Sequence, residues 1–534
     1  MGIKQILTLL VACSLLFSCK KEKAYWDVDL YAPVAQTSLN LSSLFPDTLL
    51  ESQADSSLEI VLQQDLFNFS ADSLLKVPDT NIVNNFVFPV FGFITYNPND
   101  LYDLSPSGSE ITYDLQGVEL HDAILRSGKI LIHVESALRQ PSIYTCKLPS
   151  ATLNGLPLVM DIPITGGSIL NPATKDTAID VSGYQLNLTG INGNKVNTLV
   201  QYITLRIDPN ANADTVFMGQ FVNSVVNLKD IVPQYGHGYF GTQNINVGPD
   251  SAFFEIFNQI QSGTMDLDNA QVDLTIKNEF GVDLRGKINQ LVSRNSKTGN
   301  SVSLTGPNIN NYFNINRALA TGNTTNPVIG SNKTLSINPG NSNILSFIGN
   351  LPNWLEYAMI ANLNPLGNVS GTNDFAYYGT SLNAKMDVRI PLKFSASNLI
   401  LLDTTEFSLG DFNEIDNINR GALILKASNT YPFELSLDAL LLDENNTPLN
   451  YLLNAPNNKI NAPVLDQNGK VIQASVSEIR IEISAEKIEA LKKARKIAFS
   501  AKFSTAGQPN KTTFLDYYKL DLLLTADINY STKQ

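Results

Sequence analysis

The stretch GALILKASNTYPFEL, Gly421–Leu435, sets how the rest of the chain reads. Its first half, ALILKASN (422–429), alternates with period two, the spacing of a half-buried β-strand. Then come Asn429, one further residue and Tyr431, where the alternation breaks. Two other stretches repeat the plan. KILIHVESALRQP (Lys129–Pro141) runs through Ser136 to Leu138, and AQVDLTIKNEFGVDL (Ala270–Leu284) runs through Asn278 to Phe280. The second and third copies also share Phe-Asn-x-Ile upstream, at Phe257–Ile260 and Phe412–Ile415. A spacing of roughly 140 to 150 residues fits duplication of whole domains; a solenoid would repeat every ~20 to 50.

The strand–Asn–bend–strand unit resembles that of LEA-14/WHy-like β-sandwich modules. That resemblance implies that Ser136, Asn278 and Asn429 cap a bend between two strands. The expected fold is therefore mainly β, with tandem antiparallel β-sandwich domains and a few short helices. Expected divisions are 1–18 (signal peptide), 19–33 (anchor and spacer), and β domains over 34–165, 166–330 and 331–534. Asn-Gly pairs at Asn154-Gly155, Asn192-Gly193 and Asn468-Gly469 suit tight hairpin turns, because both positions tolerate positive φ. Helices are expected over Ser251–Ile260, as two short pieces within Ile344–Ile360, and from an N-cap at Ser484 to about Ile497. Trp354 and Tyr357 would then share a helix face, as core or as an aromatic binding surface. The last helix would carry Lys487, Lys492, Lys493, Arg495 and Lys496, a solvated face or a surface for anionic lipid or an acidic partner.

Composition limits the chemistry. Lys and Arg number 37 against 50 Asp and Glu, a net charge of -13, which argues against nucleic acid. With 3 His and 2 Trp in 534 residues, imidazole catalysis and Trp-based sugar platforms have little material. No G-x-S-x-G, H-E-x-x-H, C-x-x-C or phosphate-binding glycine loop occurs, so no catalytic residue, metal or cofactor is assigned. Asp208, Asn210, Asn212 and Asp214 alternate as calcium ligands can, yet without the turn Gly and bidentate Glu of an EF-hand. A polar turn between strands is the better reading.

The N-terminus carries an address. Lys4 precedes an apolar run, Ile6–Phe17, of signal-peptide length and too short to span a bilayer. Leu16-Phe17-Ser18-Cys19 resembles the lipobox of bacterial lipoproteins, which implies cleavage before Cys19 and acylation of it, with palmitate-like chains as the membrane anchor. The rival Leu10-Val11-Ala12-Cys13 would leave too short an apolar core. With Cys19 acylated, Cys146 remains without a disulfide partner. Asp-Ser/Thr triplets resembling the O-glycosylation sequon of Bacteroidota place expected glycans on Thr48, Ser73, Thr177, Thr215, Ser251 and Thr404. Average composition gives roughly two such triplets. Together these features lead to an expectation of a non-enzymatic, lipid-anchored outer-membrane lipoprotein that binds or scaffolds other envelope proteins, in outer-membrane assembly or transport. The membrane face it occupies stays open. Glycan capture for polysaccharide utilisation, or a pilin-like subunit, are the alternatives.

Overall fold

The computed structural model describes residues 25–75, 77–88, 94–408, 418–456, 458–467, 469–505 and 511–533. Cys19, the signal segment, Phe412–Ile415 and Asn468 lie outside the described residues. The chain is mainly β. Three long strands open it: β1 (Tyr25–Leu39), β2 (Leu58–Ser70) and β3 (Thr80–Val87). The main strands that follow are β4 (Leu101–Asp103), β5 (Glu119–Ser136), β6 (Ser142–Leu153), β7 (Leu156–Ile164), β8 (Ala173–Asp180), β9 (Thr198–Ile207) and β10 (Phe221–Tyr239). Next are β11 (Gln243–Phe253), β12 (Gln271–Asn278), β13 (Leu284–Arg294), β14 (Tyr312–Ile315), β15 (Ser331–Ile337), β16 (Trp354–Leu363) and β17 (Ser381–Pro391). The last are β18 (Leu399–Glu406), β19 (Ile418–Asn429), β20 (Leu435–Leu442), β21 (Lys459–Ile460), β22 (Ser475–Glu482), β23 (Lys496–Phe503) and β24 (Leu520–Lys533).

Each group of seven recruits one of the opening strands into an antiparallel sandwich, and it does so in reverse order. The first sandwich sets β3-β10-β5-β8 over β4-β9-β6-β7. The second sets β2-β17-β12-β15 over β11-β16-β13-β14. The third sets β1-β24-β19-β22 over β18-β23-β20-β21. Strand order is the same in all three. Pairing therefore runs across the divisions expected at 34, 165/166 and 330/331, since each sandwich takes its edge strand from residues 25–87. In the first sandwich a short strand, Gln185–Asn187, pairs with both β5 and β6 and joins the two sheets.

The repeated unit is the step from one sheet to the other. Ser136, Asn278 and Asn429 end β5, β12 and β19, and each is fully buried. Asn278 Oδ1 accepts from the Phe280 N–H at 2.9 Å, while its Nδ2 donates to the Val282 and Asn316 carbonyls. Asn429 does the same with the Tyr431 N–H and the Phe433 and Asn461 carbonyls. Ser136 keeps only the first contact, to the Leu138 N–H at 3.3 Å. One Asn amide supplies both the acceptor and the donors that a buried bend leaves unpaired. Beyond the bend, β6, β13 and β20 start at Ser142, Leu284 and Leu435, which face Ile164, Ile315 and Ile460. The three copies therefore agree in register as well as in sequence.

Alternation fills the cores. Ile497, Phe499, Ala501 and Phe503 of β23 are buried, as are Val272, Leu274 and Ile276 of β12. The second sandwich shares its core with both neighbours: Val272 and Val388 belong with the third, Leu274 and Ile276 with the first. The Asn154-Gly155 turn takes φ of 53° and 79° and closes the β6–β7 hairpin as expected. Asn192-Gly193 lies in a turn where Gly193 takes positive φ, though it joins no hairpin.

The helices are fewer than the sequence led one to expect. Ser251–Phe253 belongs to β11, and only Glu255–Phe257 forms a single 3-10 turn. Helix α1 (Ile344–Gly349) is present, but the second expected piece is β16. Helix α2 (Ala485–Lys493) starts as expected, with Ser484 Oγ accepting from the Lys487 N–H. It stops before Lys496, which opens β23.

Candidate functional site

Strand geometry separates the two aromatic residues expected to act together. Residues three apart on a strand face opposite ways: Tyr357 is buried with its hydroxyl donating to the Leu66 carbonyl, while Trp354 is partly exposed, edge-on to Phe253 at 5.6 Å. No shared binding face forms. The cations of α2 are similarly dispersed. Lys487 Nζ donates to the Leu452 carbonyl, Lys492 pairs with Glu489 at 2.7 Å, and Lys496, on β23, donates to Asn446. Arg495 turns back to the Ala494 and Lys492 carbonyls, and Lys493 is exposed. The helix C-terminus thus uses part of this charge for itself.

Of the hydroxyls in the glycosylation-like triplets, Thr48, Ser73, Ser251 and Thr404 are exposed, whereas Thr177 and Thr215 are half-buried. Thr177, Thr215, Ser251 and Thr404 lie in strands, a placement that a triplet is too short to reveal. Asp208 forms a turn in which its Oδ1 accepts from the Asn210 N–H, and among the described residues no three His, Cys, Asp or Glu side chains gather as metal ligands. Cys146 is buried in the first core, and desolvation pushes its thiol up to about 12, leaving it inert. A cleft of about 980 Å³ beside the third sandwich is lined by Asp438, Tyr451, Asn458 and Lys502, with Asn458 Nδ2 held on Asp438 at 2.7 Å.

The sandwiches meet end to end through one recurrent device. The segment between β16 and β17 leaves the Asn278 end of the second sandwich and adds Asp374–Tyr377 to β10 at Tyr235–Gly238. That part of β10 is the end remote from Ser136. Asp374 is fully buried there, accepting from the Phe240 N–H and Asn364 Nδ2, with the Arg317 guanidinium at 3.8 Å. From the third sandwich, the segment between β23 and β24 pairs Thr512–Thr513 with Lys393–Phe394, itself paired to Thr264–Leu267 beyond the far end of the second. Phe514 stacks on Phe394 at 4.3 Å.

The matching segment of the first sandwich, between β9 and β10, has no further sandwich to meet. Its Asp214–Val216 pairs with Ile94–Tyr96, and Arg139 lies 3.9 Å over Phe217. Around this free end Leu170 and Met218 are 98% and 83% exposed, with Ile94 and Ile169 also at the surface. Edge strand β3 ends here, Val87 facing Phe221 of β10. At the opposite pole Tyr25 faces Lys533, so the chain towards Cys19 departs from the end of the third sandwich away from Asn429. Helix α2 occupies that same pole, between the ends of β22 and β23. The candidate site is thus the free end of the first sandwich, which the sequence reading did not single out. Its signal was an uncharged strand, TNIVNNFV (80–87), in a chain with 16% charged residues.

No helix among the described residues is long and apolar enough to cross a membrane. No family model matches the chain, and no curated protein matches it. A solved structure of a protein from Parabacteroides distasonis, assumed to be secreted, aligns at 15% identity over 55% of this chain and 82% of its own, with a TM-score of 0.28.

Proposed function

We propose that the chain is a non-enzymatic lipoprotein of the cell envelope, tethered through Cys19 to the outer membrane. It would act as a binding or scaffold subunit of a larger complex, with outer-membrane protein assembly or transport as the setting. One observation carries this reading: the chain towards Cys19 leaves one pole of the stacked sandwiches, and exposed apolar residues gather at the other. Tether and binding surface are thereby separated, so a partner can be held away from the lipid. Three strand lengths at ~3.3 Å per residue make that separation on the order of 100 Å. Helix α2, at the tethered pole, would face the headgroups, where its cations are of use.

Co-purification from detergent-solubilised membranes tests the reading. A defined complex is expected, and a protein recovered only as a free monomer overturns it. Cys19→Ala should move the protein from the membrane to the soluble fraction, and protease shaving of intact cells reports which face it occupies.

A further inference from the structure

We infer that β3 is a docking edge, to which a second envelope protein adds an extended strand through backbone hydrogen bonds. The inference rests on the proposed binding role and names the kind of partner. All three sandwiches use one of the opening strands as the edge of the same sheet, so β1, β2 and β3 are equivalent positions whose differences are informative.

Sheet edges are normally guarded against unwanted pairing by charge, proline, bulges or cover. β1 contains Asp27, Asp29 and Pro33, and its register slips between Pro33 and Ala35. Its Gln36–Thr37 stretch is also held to β18, by Thr37 to Asp403 and by Thr405 to the Gln36 carbonyl. β2 contains Glu59 and Asp65 and is capped at one end by the pairing of Leu50–Ser52. β3 has none of these devices. Its sequence TNIVNNFV carries no charge and no proline, its pairing to β10 runs without a shift, and no described strand pairs with its outer edge.

Side chains on the outer face of β3 alternate Asn81, Val83, Asn85, Val87, with the two valines 61% and 57% exposed. Val83 faces Val225, and Val87 faces Phe221. An incoming strand would continue those cross-strand rows, so the partner segment should carry two apolar residues four positions apart on one face, with polar residues between. The location agrees. In the two internal junctions a neighbouring sandwich is joined by strand pairing, and β3 borders the end where no neighbour is present.

The test uses the full-length acylated protein in its own cells, with a photo-crosslinking amino acid at Asn85. A single adduct to another protein is expected, mapping by mass spectrometry to a segment of that pattern. Hydrogen exchange across 80–87 should slow at least tenfold in the purified complex. The double variant Val83→Lys, Val87→Lys should lose the adduct while exchange at Ile130–Val134 stays unchanged, which separates lost docking from lost folding. An adduct to a second copy of this chain or to lipid, no adduct, or an adduct that survives the double variant each overturns the inference. So does exchange of β3 in the free protein that is already as slow as that of β5. If wild type and double variant co-purify equally with a partner, the edge fails and the scaffold reading stands; if wild type is solitary, both fail.

Discussion

Asn278 and Asn429 each hold three backbone groups of a bend, and both side chains are fully buried. Asn278→Ala and Asn429→Ala should each destabilise their sandwich by about 3 kcal/mol, the cost of stranding several buried groups. Ser136→Ala, which loses one long contact, should cost ~1 kcal/mol. Chemical denaturation of the three variants checks the order. These positions were legible in the sequence because the requirement is local: the cap, the bend and the next strand fall within fifteen consecutive residues. His133 offers a second residue-scale expectation. It lies between Asp176 at 2.8 Å and Glu135 at 3.4 Å, and those contacts hold its pKa above the ordinary 6.5. A raised folded value means that its stabilisation is complete below pH 6.5 and is lost as pH rises through the folded value. The site is partly exposed, so the effect on stability should be small. An NMR titration should find His133 above 6.5.

Among the elements, β16 is the instructive misreading. WLEYAMIANL places Leu355, Tyr357, Met359, Ala361 and Leu363 on one buried face, a period of two. Gly349 and Pro352 just before it look like breaks within a helix, and Trp354 with Tyr357 has helical spacing as well, so the local pattern supports both readings. Tertiary pairing with β11 and β13 decides it. Leu355→Ala should cost ~3 kcal/mol through the cavity it leaves, whereas Trp354→Ala, at the surface, should cost about 1. A helix with both aromatics buried together would give the opposite order. The same limit applies to Phe253, which lies within the expected helix over Ser251–Ile260 although its own backbone pairs with Trp354. The uncharged strand at the free end of the first sandwich was visible in the sequence but could not be placed at an open edge, for a related reason. An exposed valine in a strand looks like a buried one until its neighbours are known.

At the scale of the whole molecule, sandwich boundaries do not follow chain order. A fragment of residues 80–239 contains every main strand of the first sandwich and should unfold cooperatively, whereas 34–165 lacks β8–β10 and should stay unfolded. Circular dichroism melts of the two fragments decide this. Sequence could find the three copies but not the nesting, because β1 and β24 pair across almost the entire chain and neither carries a mark that names its partner. That nesting has a consequence for manufacture. A polypeptide delivered from its N-terminus presents β1 before all the other strands and β24 after them, so the third sandwich is sealed only when β24 arrives. The first sandwich can close early and the second midway, while β1 waits, unpaired, for β24. Any chain interrupted short of β24 would leave the third sandwich open, where proteases could recognise it as unfinished.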